Sequence, residues 1–118
     1  EHLPETVDPR DVETSACPRW VIKPAFGNTG DDVSIHGIGE SGDREQAVRR
    51  ATRNPGRWVA QRRFTAVPMS TPDGPMYPCI GVYTIDGRAG GIYARLSPRP
   101  LIDFASIDVG VLIEDHRV

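Results

Sequence analysis

The chain has 118 residues, enough for one compact domain and too few for two full ones. Apolar residues make up 38% and charged residues 25% of it, as in soluble globular domains, and no run approaches the roughly 18 apolar residues of a membrane-spanning helix. The formal net charge of −2 argues against a nucleic-acid-binding protein, which needs an excess of lysine and arginine on one face.

Two cysteines, Cys17 and Cys79, stand far apart without a CxxC or Cys/His spacing. Neither a zinc site nor a disulfide framework is therefore indicated, and we expect a reducing, cytoplasmic location. The sequence begins Glu1-His2-Leu3-Pro4, without a start methionine or the basic-then-apolar pattern of a signal peptide. We therefore expect it to be a piece of a longer chain.

The first half of the chain predicts a strand, a glycine-bearing loop and a return strand. Residues 1–18 hold three prolines among polar residues and are predicted to be an irregular lead-in or linker before a domain at 19–118. Residues 19–23 form an aromatic and β-branched run that ends at Pro24, which is typical of a buried strand. The alternation at 33–36 predicts the second strand of a hairpin, and the next three glycines predict a turn.

One segment, 43–54, has helical spacing. Ala47, Val48 and Ala51 share one face, the arginines between them lie on the other, and Asn54 is followed by a proline and a glycine. This pattern predicts a helix that packs its alanine face on the core and ends at Asn54. Asp43 or Ser41 is the expected cap of its start.

The second half reads as strands and turns. Asp86-Gly87 between two apolar runs is the strongest hairpin signal. The predicted elements are a strand at 58–64, a loop at 68–78, hairpin strands at 79–85 and 89–96, and a last strand at 109–114. The fold class predicted from this order is α+β, with a mainly antiparallel sheet and one main helix.

Lys23 is the only lysine in a chain with thirteen arginines. It leaves a strand beside a loop that contains Gly27 and Gly30, so an ammonium group and closely approachable backbone N–H groups come together, as a polyphosphate requires. The loop is neither GxxxxGK[ST] nor GxGxxG. The residues alone leave two interpretations open: a phosphate site, or an ordinary hairpin beside a solvent-exposed lysine.

The order of several short motifs resembles a known family. These motifs are Lys23-Pro24, Phe26-Gly27, Trp58-Val59-Ala60-Gln61, Tyr77-Pro78-Cys79-Ile80-Gly81-Val82-Tyr83 and Gly91-Ile92-Tyr93-Ala94-Arg95. Together they resemble the C-terminal ATP-binding part of circularly permuted ATP-grasp proteins, and are most similar to the glutathionylspermidine synthase group. The resemblance covers residues 19–114 and implies an ATP-grasp-like lobe.

The resemblance implies a role for each matching residue. Lys23 would contact the nucleotide phosphates, and the loop Gly27-Asn28-Thr29-Gly30 would close over them as a lid. Gln61 would lie near adenine. Arg95 would be catalytic, because it would neutralise the charge that grows on the transferred phosphoryl group.

The implied cofactors are ATP and Mg²⁺, and two departures from the family pattern limit the resemblance. The synthase branch has an arginine where this chain has Asn28, so specificity for glutathione or spermidine is not supported. The magnesium ligands of the family lie upstream of the lysine strand, and the acidic residues of 1–18 do not match them. We therefore expect the metal ligands outside this chain. Asp103 and Asp108 have two interpretations, magnesium ligands or residues in turn and strand-edge positions, and the second is favoured.

The function implied by the resemblance is the ATP-binding part of an ATP-dependent carboxylate–amine ligase that works through an acyl phosphate, with a small-molecule acid and amine as substrates. The alternative is a non-catalytic binding or interaction module that keeps the fold. In either case we expect no nucleic-acid or membrane partner. Because half of a larger domain exposes an apolar face, self-association or pairing with a missing second lobe is a further expectation.

Overall fold

The computed structural model describes residues 3–13, 18–27, 30–40 and 42–114. It divides into two compact units, Glu1–Thr65 and Ala66–Val118, which are described separately below. Each unit contains one antiparallel sheet, and the described residues hold one α-helix. The predicted α+β class, with antiparallel sheets and a single main helix, is confirmed.

The first unit is a three-stranded sheet with one helix. Its strands are β1 (Thr6–Val7), β2 (Trp20–Pro24) and β3 (Trp58–Arg62), in the order β1-β3-β2, and all neighbours are antiparallel. β1 lies within residues 1–18, the segment predicted to be an irregular lead-in, and is followed by a 3-10 turn at Pro9–Asp11. A second 3-10 turn, Pro55–Arg57, connects the helix to β3.

Helix α1 (Asp43–Arg53) supplies the other half of this unit's core. Its buried residues are Ala47 and Ala51, as the spacing predicts, and they pack with Ile22 and Ala60 of the sheet. Small side chains at these helix positions let the helix approach the strands closely. Within the described part of the chain, Ile22 is the largest buried apolar side chain, with 0% of its surface exposed.

The predicted return strand at 33–36 pairs with β2 through a single bridge, between Ser34 and Ile22. Ser34 exchanges two backbone hydrogen bonds with Ile22, at 2.8 and 3.0 Å. The chain then turns, because Ile38 N–H donates to the Ile35 carbonyl and Gly37 has a φ of +78°. A ladder cannot continue through a turn that starts one residue after its first pair, so the hairpin stays short.

The second unit is a four-stranded sheet. Its strands are β4 (Met69–Thr71), β5 (Gly74–Ile85), β6 (Arg88–Ser97) and β7 (Ile107–Val109), in chain order and antiparallel throughout. The Asp86-Gly87 hairpin is confirmed, with both residues at positive φ. The last strand covers 107–109 rather than the predicted 109–114.

The predicted loop at 68–78 is instead a second hairpin. Gly74 has a φ of +107°, and the Thr71 hydroxyl donates to its carbonyl at 2.6 Å, so the chain reverses within four residues. Pro75 and Pro78 lie inside β5, opposite Ser70 and Leu96. Proline has no N–H to donate, but it is tolerated where a strand lacks a partner on one side. The sequence prediction took these prolines as signs of a loop and therefore missed the strand.

One face of the second sheet is a continuous apolar block. Opposed residues of antiparallel strands share a face, and the register places eight apolar residues together: Pro78, Ile80, Val82, Ile92, Ala94, Leu96, Ile107 and Val109. Ile80 is 65% exposed and Ala94 is buried. The opposite face carries Tyr83 and Tyr93, whose ring centroids are 5.4 Å apart.

Among the described residues, no helix has both the length and the apolar character needed to cross a membrane.

Candidate functional site

Lys23 and Gln61 project from the face of the first sheet opposite to helix α1. In β2 and β3, Ile22 pairs with Ala60 and both are buried towards the helix. Because side chains alternate along a strand, the residues beside them project to the other face. Lys23 lies opposite Val59, and Gln61 lies opposite Val21, so the lysine and the glutamine are diagonal neighbours.

The two side chains are in direct contact. Lys23 Nζ donates a hydrogen bond to Gln61 Oε1 at 3.0 Å, across 38 positions of sequence. Both residues are half-buried, as are Val21 and Val59 beside them. An ammonium group that is partly withdrawn from water interacts more strongly with an anion than a fully solvated one.

The hydrogen-bonding capacity of the ammonium group is only partly used. A lysine has three N–H donors and no acceptor, and within the residues that the structure describes its hydrogen-bond partner is Gln61. A phosphate oxygen at the open side of the group would complete its coordination through charge-assisted hydrogen bonds.

The loop after β2 starts at the end of the lysine strand. Ala25 N–H donates to the Arg57 carbonyl at 2.9 Å, and Val33 N–H donates to the Gly30 carbonyl at 3.1 Å. A Cβ on Gly27 would lie 3.3 Å from Pro24 Cβ, so this glycine permits a close approach of the backbone. Asn28 and Thr29, which were predicted to contact phosphate, lie outside the described residues.

Arg95 belongs to the second unit, where it is engaged in contacts of its own. Its Nε lies 3.2 Å from Asp108 Oδ1, an ion pair that lacks the alignment of a hydrogen bond. Its Nη2 donates to the Asp103 carbonyl at 3.2 Å. These contacts connect β6 to β7 and to the preceding turn, which gives Arg95 a structural function. Its catalytic role stays a prediction.

Asp103 and Asp108 occupy the positions expected of them. Asp103 lies in a turn, where its carboxylate accepts from Ala105 N–H at 3.0 Å and also pairs with Arg99. Asp108 lies in β7 opposite Arg95. Within the described ranges, no group of three or more His, Cys, Asp or Glu side chains is arranged to hold a metal ion.

The structure adds two features that sequence reasoning missed. Thr6 of β1 lies directly opposite Gln61, and Gln61 Nε2 donates to the Thr6 hydroxyl at 3.3 Å. A two-residue strand has too little pattern to reveal such a contact in advance.

The second feature is a cavity of about 350 Å³ at the start of α1, lined by residues 35–40 with Gly42, Arg44 and Glu45. The spacing of Gly37, Gly39 and Gly42, all at positive φ, was the available signal. This spacing is that of GxGxxG, but the surrounding sheet is antiparallel, and the dinucleotide-binding unit requires parallel βαβ strands.

Comparison with known proteins adds no family, because no protein-family model, no curated protein and no solved structure matches the chain.

Proposed function

We propose that this chain supplies the ATP-binding part of an ATP-dependent carboxylate–amine ligase. The observation that carries the proposal is the 3.0 Å contact between Lys23 Nζ and Gln61 Oε1. The family resemblance implies nucleotide binding for both residues, Lys23 at the phosphates and Gln61 near adenine, and the two meet on a sheet face that helix α1 does not cover. In this proposal the face holds the nucleotide, with Lys23 on the phosphates.

The chain's own residues would act by binding and orientation. The Lys23 ammonium group would hold phosphate oxygens, and Gln61 would keep that group directed over the sheet face. In the overall reaction, a carboxylate oxygen would attack the terminal phosphorus of ATP and ADP would leave. An amine would then attack the acyl carbon, phosphate would leave, and the amine nitrogen would lose a proton.

Magnesium is part of the proposal only as the usual companion of ATP. The described residues contain no group of three or more His, Cys, Asp or Glu side chains arranged to hold a metal ion. In this proposal the metal ligands, and the sites for the acid and the amine, would lie outside them.

Calorimetric titration with Mg·ATP tests the proposal. We expect the wild type to bind and Lys23→Met to bind about 10- to 100-fold more weakly, because a charge-assisted hydrogen bond contributes about 1.5–3 kcal/mol. Arg49→Met is the matched control, since Arg49 is an exposed cation on α1, and it should bind as the wild type does. Equal affinity of the wild type and Lys23→Met would refute the assignment.

A non-catalytic interaction module is the alternative, and the apolar block of the second sheet favours it. Ile80 and Val82 are 65% and 53% exposed, and exposed apolar patches of this kind are typical of interaction surfaces. The same titration discriminates between the two functions, because a module without nucleotide chemistry would give no heat with Mg·ATP at millimolar concentration.

A further inference from the structure

A chain of hydrogen bonds crosses the face of the first sheet that carries Lys23. Lys23 Nζ donates to Gln61 Oε1 at 3.0 Å, and Gln61 Nε2 donates to Thr6 Oγ1 at 3.3 Å. The Thr6 hydroxyl in turn donates to the Pro4 carbonyl at 3.1 Å. The chain thus joins all three strands and ends on the backbone before β1.

The donor and acceptor chemistry of these groups permits only one direction for the chain. The ammonium group has no acceptor, so the amide oxygen of Gln61 must face Lys23. The amide nitrogen then faces Thr6, whose hydroxyl oxygen accepts from it. The Pro4 carbonyl can only accept, so the Thr6 proton points towards it. Each group therefore fixes the orientation of the next.

Contacts of the neighbouring residue Glu5 hold Thr6 in place. Glu5, its neighbour, pairs with Arg62, with 3.0 Å between the carboxylate and Nη2. Arg62 N–H also donates to the Glu5 carbonyl at 2.7 Å. These contacts hold β1 along β3 and keep the Thr6 hydroxyl opposite the Gln61 amide.

We propose that Thr6 is a positioning residue for Lys23. Without the Thr6 hydroxyl, Gln61 Nε2 loses the acceptor that holds it on β1. The Gln61 side chain is then anchored at its oxygen end alone and samples rotamers that carry this oxygen away from the ammonium group. Lys23 would lose its acceptor and sample other rotamers, and an anion would have to order the side chain again on binding.

The expected consequence of losing the Thr6 hydroxyl, weaker ATP binding, rests on the proposed function. The effect of Thr6 on the hydrogen bond between Lys23 and Gln61 does not depend on that function. The fact that Lys23 is the only lysine makes the test direct. In a protein labelled with ¹⁵N-lysine, a single ammonium resonance reports on the hydrogen bond to Gln61, with or without nucleotide.

The experiment compares four variants of the full chain. Gln61→Leu removes the acceptor and defines the resonance of a released ammonium group. Thr6→Val replaces the hydroxyl with a methyl group of similar shape, and Thr6→Ser keeps the hydroxyl. Thr52→Val is the matched control, because the Thr52 hydroxyl donates within α1, to the Val48 carbonyl at 2.9 Å.

The expected result is a shift of the ammonium resonance in Thr6→Val towards its position in Gln61→Leu, with faster hydrogen exchange. Thr6→Ser and Thr52→Val should keep the wild-type resonance. The Kd for Mg·ATP should rise about threefold to tenfold in Thr6→Val and recover in Thr6→Ser.

The two proposals fail in different ways. A resonance in Thr6→Val that matches the wild type, while Gln61→Leu shifts it, overturns the positioning role of Thr6 whatever the nucleotide affinity. If Gln61→Leu fails to fold, a Thr6→Val resonance and exchange rate equal to those of Thr6→Ser overturn it equally. Absence of Mg·ATP binding by the wild type overturns the proposed function alone. The ammonium resonance then still decides whether Thr6 positions Lys23.

Discussion

Ile22 is the largest buried apolar side chain among the described residues of the first unit, and its truncation to alanine has a calculable cost. It is 0% exposed, and it packs with Ala47, Ala51 and Ala60. Three carbon atoms are removed, which lose about 2.4 kcal/mol of transfer free energy at about 0.8 kcal/mol per group. The remaining cavity adds to this, so we expect a loss of about 3 to 4 kcal/mol.

That loss is large for this unit. A domain the size of Glu1–Thr65 has roughly 3 to 10 kcal/mol of stability at about 0.05–0.15 kcal/mol per residue. Because Ile22 precedes Lys23 on β2, the same substitution should also weaken the candidate site. Its two hydrogen bonds with Ser34 involve only backbone atoms, so the substitution keeps them and isolates the packing contribution.

Urea unfolding followed by tryptophan fluorescence measures this cost. Both tryptophans, Trp20 and Trp58, pack against the core of the first unit, so their emission reports on that unit. Ile22→Val should cost about 0.5–1.5 kcal/mol. Phe26→Ala is the surface control, since Phe26 is 95% exposed, and it should change stability by less than about 0.5 kcal/mol. An Ile22→Ala cost no larger than that of Phe26→Ala would refute the core described here.

Two further predictions concern other parts of the chain. The Arg10 side chain bonds to Asp8, as does the Arg10 backbone N–H, and together they lower the pKa of Asp8 from 3.8 to about 2. The stabilisation that the ionised Asp8 carboxylate provides is therefore complete above pH 3.8 and is lost as the pH falls towards 2. Carboxyl NMR should show the lowered pKa of Asp8 in the wild type and a return towards 3.8 in Arg10→Gln. A wild-type pKa near 3.8 would contradict the prediction. Gly81→Ala would place a Cβ into the Tyr93 ring and should displace the ring at a cost of about 1–3 kcal/mol. Ring NMR shifts and thermal unfolding would detect this, with Gly91→Ala as a tolerated control, and an unmoved ring would be contrary to the prediction.

The elements predicted well from sequence are those with local signals. The helix at 43–53 shows its alanine face through spacing alone, and Asp86-Gly87 determines the hairpin through the backbone conformation these two residues favour. β1 was missed because two residues cannot show periodicity. The hairpin at Gly74 was missed because Pro75 and Pro78 are usually signs of a loop, whereas here they occupy strand positions.

The candidate site was only partly predictable, for a different reason. The sequence places Lys23 and Gln61 on strands, but their contact depends on the register between β2 and β3, which are separated by a helix. The contact of Gln61 with Thr6 spans 55 positions and depends on β1. Ion pairs such as that of Arg95 with Asp108 depend on register in the same way. Local pattern does not determine the register of distant strands, so these contacts required the structure.

The most direct test of the central claim is a crystal structure of the chain with a non-hydrolysable ATP analogue. The account predicts the nucleotide on the face of the β1-β3-β2 sheet opposite to α1, with Lys23 Nζ about 2.7–3.2 Å from a phosphate oxygen and still bonded to Gln61. An analogue bound elsewhere, or a Lys23 ammonium group that contacts no phosphate oxygen, would contradict the claim that this lysine holds ATP.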